Sequence, residues 1–366
     1  MGLRCGIVGL PNVGKSTLFN ALSNAKAESA NYPFCTIEPN VGVVTVPDPR
    51  LQVLEEIVKP QRVVPTIVEF VDIAGLVKGA SKGEGLGNKF LANIREVDAI
   101  IHVVRCFDDP NIVHVAGGVD PVFDKEVIDT ELQLKDLESI DKKLQKSERS
   151  AKSGDAVAKK EVAALTRFKA HLEAGHNARS LDASEEELAA VEDLQLLTIK
   201  PVIYAANVDE ASIPQGGNAF VEALRQHVAG ENAQIVVISA AIESQIAEME
   251  DPEEKEMFLG EYGLTESGLD KLIRASYDIL NLITYFTAGV QEVRAWTVHR
   301  GDKAPAAAGV IHSDFEKGFI RAEVIKLDDY VQYRSEAKIK EAGKMAVEGK
   351  EYVVQDGDIM HFRFNV

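Results

Sequence analysis

Nine residues near the N-terminus, Gly9–Thr17 (Gly-Leu-Pro-Asn-Val-Gly-Lys-Ser-Thr), match the phosphate-binding loop pattern G-x-x-x-x-G-K-S/T. The apolar run Cys5–Val8 precedes this loop as a strand should, and the helix-compatible run Thr17–Leu22 follows it. Such a loop turns backbone N–H groups inward at a helix N-terminus, so it favours a triphosphate. In this pattern Lys15 reaches the β- and γ-phosphates, and Ser16 holds Mg²⁺. The remaining residues predicted to contact the phosphates are Asn12, Val13, Gly14 and Thr17.

Two further stretches supply candidate groups for the same metal and the γ-phosphate. The motif Asp72-Ile-Ala-Gly75 follows the predicted strand Thr66–Val71. An aspartate there orients Mg²⁺ through water, and the glycine contacts the γ-phosphate. Thr36 lies between the first helix and the second strand, where a switch loop supplies a hydroxyl to Mg²⁺ only while the γ-phosphate is present. The predicted metal ligands are therefore Ser16, Thr36 and Asp72.

The residue after the Asp-x-x-Gly motif is Leu76, at the position where Ras-like proteins place the glutamine that orients the attacking water. Leucine has no hydrogen-bonding group. Another group must therefore position the water, or hydrolysis is very slow without a partner. His114, in a loop after a buried strand, is a candidate for that role, and the alternative is a packing or surface histidine. The predicted catalytic set is Lys15, Asn12, His114 and Leu76.

Base recognition is predicted from the stretch Asn207-Val-Asp-Glu210, which follows a late apolar run. Guanine-specific relatives carry Asn-Lys-x-Asp here, and the aspartate accepts guanine N1–H and N2–H. In this chain Val208 replaces the lysine, and the longer Glu210 replaces the aspartate. An asparagine amide matches the N6/N7 edge of adenine, and the Val208 backbone is placed for the same edge, so we expect ATP rather than GTP. The loop predicted to complete the base side contains Ser239, Ala240 and Ala241.

The overall composition limits the classes of function that fit. The 366 residues include 58 acidic and 40 basic side chains, for a formal net charge of −18, which argues against nucleic-acid binding over the whole surface. The three cysteines are far apart, odd in number and without a C-x-x-C pair, so we expect neither a disulfide framework nor a zinc site. The sequence contains no 18-residue apolar run and no signal-peptide core, so we expect a cytoplasmic protein without membrane contact.

Apolar runs separated by helical patterns predict an α/β fold, a parallel sheet with helices on both faces. The predicted strands are Cys5–Val8, Val41–Val46, Thr66–Val71, Ala99–Val104, Pro201–Ala206 and Gln234–Ser239. The resulting nucleotide-binding domain comprises residues 1–123 and 198–280.

Two other regions have a different character. Residues 124–197 are nearly free of Gly and Pro, and they predict an inserted antiparallel helical hairpin, a coiled coil, with breaks at Ser153–Asp155 and Gly175. The hairpin is either a solvated spacer or a partner-binding arm. Residues 281–366 alternate as exposed strands do, and they predict a small α+β domain. The predicted seam of the hairpin consists of Leu134, Leu137, Ile140, Leu144, Val162, Leu165, Phe168 and Leu172.

Taken together, these motifs resemble the YchF subfamily of Obg-like P-loop proteins, of the TRAFAC class. The resemblance covers all 366 residues and includes the terminal string Val354-Gln-Asp-Gly-Asp-Ile-Met-His-Phe-Arg-Phe-Asn-Val366. It implies a C-terminal TGS domain, ATP hydrolysis in preference to GTP, and association with the large ribosomal subunit and its RNA. It also implies that Val208 contacts adenine and that His114 is a candidate catalytic residue. Because related hydrolases use a phosphate-loop asparagine to bind K⁺ in place of an arginine finger, Asn12 makes K⁺ stimulation a hypothesis.

Other functions fit parts of the same sequence. A guanine-specific GTPase translation factor would share the phosphate loop, and Leu76 also fits an adaptor in which ATP fixes the conformation without being hydrolysed. Support for RNA binding from the residues themselves is limited to four side chains near one strand end, which also fit a packed tryptophan and solvated charges. These side chains are Trp296, His299, Arg300 and Lys303. We expect a monomer.

Overall fold

The computed structural model describes residues 3–24, 40–73, 86–112, 117–231 and 233–365. Within these ranges the strands are β1 Leu3–Val8, β2 Val41–Thr45, β3 Arg62–Val64, β4 Ile67–Asp72, β5 Ala99–Arg105, β6 Val202–Asn207, β7 Gln234–Ile238, β8 Leu282–Ala288, β9 Glu292–His299, β10 Phe319–Ile325, β11 Ala346–Glu348 and β12 Ile359–Phe364. The helices are α1 Lys15–Asn24, α2 Pro49–Val58, α3 Leu86–Arg95, α4 Pro121–Lys152, α5 Ala156–Glu173, α6 Glu185–Val191, α7 Ala219–Val228, α8 Ala240–Glu248, α9 Pro252–Glu261, α10 Gly268–Ile279, α11 Ala304–Ile311, α12 Ser313–Lys317, α13 Leu327–Tyr333 and α14 Glu336–Glu341.

Among the described residues, the first compact unit comprises residues 3–24, 40–44 and 69–276, apart from the gaps given above. Its sheet has the strand order β2-β4-β1-β5-β6-β7, and the pairs β1–β5, β5–β6 and β6–β7 are parallel. Every residue of β5 and β6 is buried, as the nearly continuous apolar runs predicted. The predicted α/β class with a phosphate-loop sheet is confirmed.

The inserted hairpin forms from two long helices, α4 and α5, which are separated by Ser153–Asp155 as predicted. Asp155 caps α5 by accepting hydrogen bonds from the backbone N–H groups of Val157 and Ala158. The seam around Ile140 and Phe168 is buried. The prediction for one seam residue was wrong, since Leu134 is 46% exposed.

The neighbouring residue Gln133 explains this error. Its side-chain amide donates to the Gly175 carbonyl (3.1 Å) and to the Asn177 side chain (2.9 Å), in the turn that follows α5. Around Gln133, α4 therefore contacts a polar turn rather than the apolar face of α5. Leu134 consequently lies outside the buried seam.

Among the described residues, the second compact unit comprises Thr45–Val68 and residues 277–365. Its mixed sheet has the order β11-β10-β12-β8-β9-β3, and its helices include α2. The predicted boundary at residue 281 did not anticipate the segment Thr45–Val68. Within this unit β3 pairs in parallel with β9, and α2 buries Leu51 and Leu54 against the same core as Phe286. The domain boundaries proposed from the sequence otherwise stay a prediction.

Within the part of the chain that the structure describes, none of the helices combines the length and the hydropathy that a membrane span requires. The two cysteines within the described ranges, Cys5 and Cys106, are buried and free. Burial raises the pKa of each thiol to about 12, which makes both side chains unreactive.

Candidate nucleotide-binding site

The phosphate loop joins β1 to α1 in a conformation that two residues with positive φ make possible. Asn12 has φ 64°, which asparagine tolerates, and Gly14 has φ 93°. A Cβ atom at Gly14 would collide with the amide nitrogen of Asn207, so glycine is required there for space as well. Gly9 is equally confined, because a Cβ would lie 2.8 Å from the Val103 carbonyl oxygen. The loop is therefore held tightly against the ends of neighbouring strands.

The charged groups predicted for phosphate and metal binding meet at this loop. The ammonium group of Lys15 forms an ion pair with the carboxylate of Asp72, at the end of β4. Ser16 and Thr17, in the first turn of α1, are exposed. Since the first N–H groups of a helix have no partner within it, the start of α1 presents donors beside a lysine, a hydroxyl and a carboxylate. This donor set fits a magnesium-bound triphosphate: Lys15 and the backbone would hold the phosphates, and Ser16 and Asp72 would hold the metal.

Asn207, the last residue of β6, connects the phosphate loop to the loop that follows β7. Its side-chain Nδ2 donates to the Val13 carbonyl (2.9 Å), and its Oδ1 accepts from the Ala240 backbone N–H (2.9 Å). The residue is 4% exposed. These contacts revise the role expected from the sequence: the Asn207 amide holds two loops together, and both of its functional atoms already have protein partners.

The two acidic residues that follow Asn207 are also engaged within the chain. The Asp209 carboxylate accepts from the backbone N–H (2.9 Å) and the hydroxyl (3.0 and 3.1 Å) of Ser212. Glu210 accepts from the Gln245 side chain (3.3 Å) and from the Tyr262 hydroxyl (3.4 Å). A guanine-type contact needs a carboxylate aimed at the base. Here both carboxylates accept hydrogen bonds from nearby residues of the same chain.

The remaining base-side residues line the ends of β6 and β7. Val208 is 2% exposed, and its backbone N–H donates to the Ile238 carbonyl (2.8 Å). Ser239 and Ala240 are buried, whereas Ala241 is exposed. The Ser239 hydroxyl is fully buried and has no hydrogen-bond partner among the described residues. Of these three loop residues, Ala241 is the one whose side chain a bound base would contact.

Four predicted site residues, Thr36, Gly75, Leu76 and His114, lie outside the described residues. The chain that leads toward His114 is organised by a residue that the sequence analysis missed.

Arg105 ends β5 and is 1% exposed. Its guanidinium donates to the carbonyl oxygens of Phe107 (3.1 Å), Ile112 (3.0 Å) and Asp109 (3.3 Å). A charged residue at the end of a buried run whose other members, apart from His102, are apolar was the available signal. Arg105 thus fixes the loop after β5 up to Ile112.

Comparison with known proteins identifies the family. The YchF-GTPase_C family model, described as "Protein of unknown function (DUF933)", matches residues 282–365, and the model described as "50S ribosome-binding GTPase" matches residues 4–146. The chain is 60% identical to the Ribosome-binding ATPase YchF of Haemophilus ducreyi over 366 residues, with both chains covered completely. It is 59% identical over 367 residues to the protein of the same name from Bacillus subtilis, again over the whole of both chains. The chain belongs to the YchF family.

A solved structure extends the match to the whole fold. The structure of the Schizosaccharomyces pombe YchF GTPase has a TM-score of 0.89 and 40% identity, and the match covers 99% of this chain and 98% of that one. This YchF-family chain therefore shares the fold of that structure, with a phosphate-loop sheet, a helical region and a C-terminal domain.

Proposed function

We propose that this chain binds ATP with Mg²⁺ in preference to GTP, hydrolyses it, and acts as a nucleotide-dependent switch on the ribosome. The observation that carries the base preference is the orientation of Asp209 and Glu210, whose carboxylates are hydrogen-bonded to Ser212, Gln245 and Tyr262. In this proposal these bonds turn both carboxylates away from guanine N1–H and N2–H, so the site loses the bidentate contact that selects GTP. The names of the bacterial relatives, ribosome-binding ATPases, support the same assignment.

In this proposal different residues of the chain bind the phosphates, bind the metal and hold the loops in place. Lys15 exchanges the Asp72 carboxylate for the β- and γ-phosphates, which frees Asp72 to orient the metal together with Ser16 and Thr36. Asn207 keeps the phosphate loop and the base-side loop in register while the nucleotide is bound. The metal neutralises phosphate charge when it is present.

The proposed hydrolysis is slow without a partner. Leu76 supplies no hydrogen bond to water. We therefore assign His114 to the positioning of water, and Asn12 to a K⁺ site. We further propose that contact with the ribosome, through the helical hairpin or the C-terminal domain, accelerates turnover. The chain's charge of −18 requires that this contact is local and sensitive to salt.

Turnover measured with ATP and with GTP, each with and without ribosomes, tests this function. We expect ATP hydrolysis that ribosomes accelerate, that K⁺ accelerates relative to Na⁺, and that His114→Ala reduces. GTP hydrolysed with the higher kcat/KM would establish the GTPase alternative. Binding of ATP with no turnover under any of these conditions would establish the non-hydrolysing adaptor. Equal rates in K⁺ and Na⁺ would remove Asn12 from the assignment.

A further inference from the structure

Glu243 lies one helical turn inside α8 and is 2% exposed, although nothing in the phosphate or metal site uses it. Its two carboxylate oxygens accept hydrogen bonds from consecutive backbone N–H groups at the start of α10, Gly268 (2.7 Å) and Leu269 (3.2 Å). A carboxylate at a helix N-terminus satisfies orphan donors and interacts favourably with the helix dipole. The contact therefore joins the beginnings of two helices.

Close packing makes this junction specific. A Cβ atom at Gly268 would lie 2.7 Å from the Glu243 carboxylate oxygen and 2.9 Å from a methyl group of Ile238, the last residue of β7. Only glycine lets the start of α10 approach both groups at once. The position of Glu243 is consequently fixed from two sides, by α10 and by the end of β7.

Hydrogen bonds continue from this junction to the phosphate loop. The backbone N–H of Glu243 donates to the Ser239 carbonyl (2.9 Å), and the Ala240 N–H donates to Asn207, which in turn holds Val13. The loop Ser239–Ala241 thus lies between Glu243 on one side and Asn207 on the other.

We propose that Glu243 is a positioning residue for the base of the bound nucleotide: by anchoring α8 to α10, it sets the loop Ser239–Ala241 against the base while leaving the phosphate contacts to the other side of the site. This inference rests on the proposed function and deepens it. The carboxylate chemistry is consistent with this role. Burial raises the pKa of Glu243 to about 7, and the two backbone N–H groups limit that rise because they favour the charged form. Near pH 7 about half of the group is ionised, which is the form that accepts both bonds, and the ionised share grows as the pH rises further.

The test separates base contacts from phosphate contacts. The dissociation constants of ATP and of inorganic tripolyphosphate are measured with Mg²⁺ for the wild-type chain and for Glu243→Gln. The glutamine amide keeps one acceptor oxygen, but its NH₂ group faces one of the two backbone N–H groups of α10. One charge-assisted hydrogen bond is therefore lost, and we expect ATP affinity to fall about tenfold. Tripolyphosphate affinity should not change. In steady state KM for ATP rises while kcat stays within about twofold.

Two further variants keep the test interpretable. Asp136→Asn is the matched control, because Asp136 is a buried carboxylate in the helical insertion that accepts from the backbone N–H groups of Leu197 and Thr198 (both 2.8 Å). It should leave both affinities unchanged. Gly268→Ala approaches the junction from the other side and should reproduce the ATP-specific loss.

The outcomes separate this inference from the function on which it rests. Unchanged ATP affinity in both Glu243→Gln and Gly268→Ala, or an equal loss for ATP and tripolyphosphate, overturns the positioning role alone. A wild-type chain that does not bind ATP overturns the proposed function and this inference together.

Discussion

Two buried polar networks in the first unit stabilise their surroundings by different chemistry. The base-side network consists of Asn207 and Glu243, and most of its bonds run from a single side chain to backbone groups of loops and helix ends. The ionic network joins side chains to side chains: it consists of Lys125, Asp129, Arg179 and Glu231, with the Tyr204 hydroxyl among them.

The ionic network anchors the helical insertion to the sheet. Lys125 and Asp129 belong to α4, Arg179 follows α5, and Tyr204 lies on β6. Lys125 pairs with Asp129 (2.6 Å) and with Glu231, and Arg179 pairs with Glu231 (3.0 Å). Burial by itself raises the pKa of Asp129, but the charges of Arg179 and Lys125 and two hydrogen bonds hold it below its usual value. Asp129 thus stays ionised inside the protein.

The comparison indicates what each network does. Bonds to backbone atoms fix the course of loops, which is what a nucleotide site requires. Ion pairs between long side chains tolerate small displacements but cannot lose a member, because a buried charge without a partner costs several kcal/mol. We therefore expect the ionic network to control stability and the base-side network to control nucleotide affinity.

The largest expected effect is on stability, from removal of one buried cation. Arg179→Met leaves Asp129 and Glu231 short of positive charge and should lower the free energy of unfolding by about 3–5 kcal/mol, measured by urea denaturation at pH 7.5. Arg167→Met, which breaks the exposed pair with Glu187 (2.6 Å) on the same hairpin, is the control and should cost at most about 1 kcal/mol. Similar losses in both variants would contradict the distinction.

A pH effect comes from His102 on β5, which is 2% exposed and faces the Tyr204 ring at 5.5 Å. Burial lowers the pKa of His102 from 6.5 to about 4. The unfolded chain therefore takes up the proton first, so the stability from this group is complete above pH 6.5 and is lost as pH falls toward 4. The loss amounts to about 3 kcal/mol at 1.36 kcal/mol per pH unit.

His102→Phe replaces the imidazole with a ring that binds no proton. Unfolding free energies measured between pH 7.5 and 4.5 should fall less steeply for this variant than for the wild-type chain. Parallel curves for the two proteins would contradict a neutral buried histidine. The contribution of Glu243 to the pH dependence of stability has the opposite sign. Because its pKa is raised to about 7, its ionisation makes folding less favourable as pH rises from 4.5 to 7.

Asn207→Ala tests the base-side network from its other end. It leaves the Val13 carbonyl and the Ala240 N–H buried without their partner, so we expect a loss of about 2 kcal/mol in stability and a fall of at least tenfold in ATP affinity. Isothermal titration provides the affinity. Asn111→Ala, at an exposed asparagine whose side chain donates to Asp109 two residues away, should change neither quantity.

The smallest effect is expected for Asp209→Ala. This change removes a cap on the turn at Ser212 and should cost about 1 kcal/mol, while the ratio of ATP to GTP affinity stays the same. A change in that ratio beyond threefold would mean that the Asp209 carboxylate contacts the base after all.

Local patterns allowed the phosphate loop, the buried strands and the hairpin to be predicted. The run Ala99–Val104 is apolar except for His102, and the structure buries all of β5. Contacts between residues distant in the sequence could not be read in this way. The three-residue strand β3 pairs with β9 across more than two hundred residues, and nothing in Arg62–Val64 marks it as part of the second sheet.

The candidate site shows the same limit. The spacing of Gly9–Thr17 predicted the loop, but the commitment of the Asn207 amide to Val13 and Ala240 depends on how close three segments lie in space. Glu243 has no distinguishing sequence signal, since a glutamate beside Ile242 in an amphipathic helix resembles any exposed acidic residue. Its role follows only from the position of α10.

The base preference is the central claim, and one measurement tests it directly: titration of the wild-type chain with ATP and with GTP in the presence of Mg²⁺, under identical conditions. Because Asp209 and Glu210 bind within the chain, we predict a dissociation constant for ATP at least tenfold lower than that for GTP. Equal affinities, or tighter binding of GTP, would contradict the account.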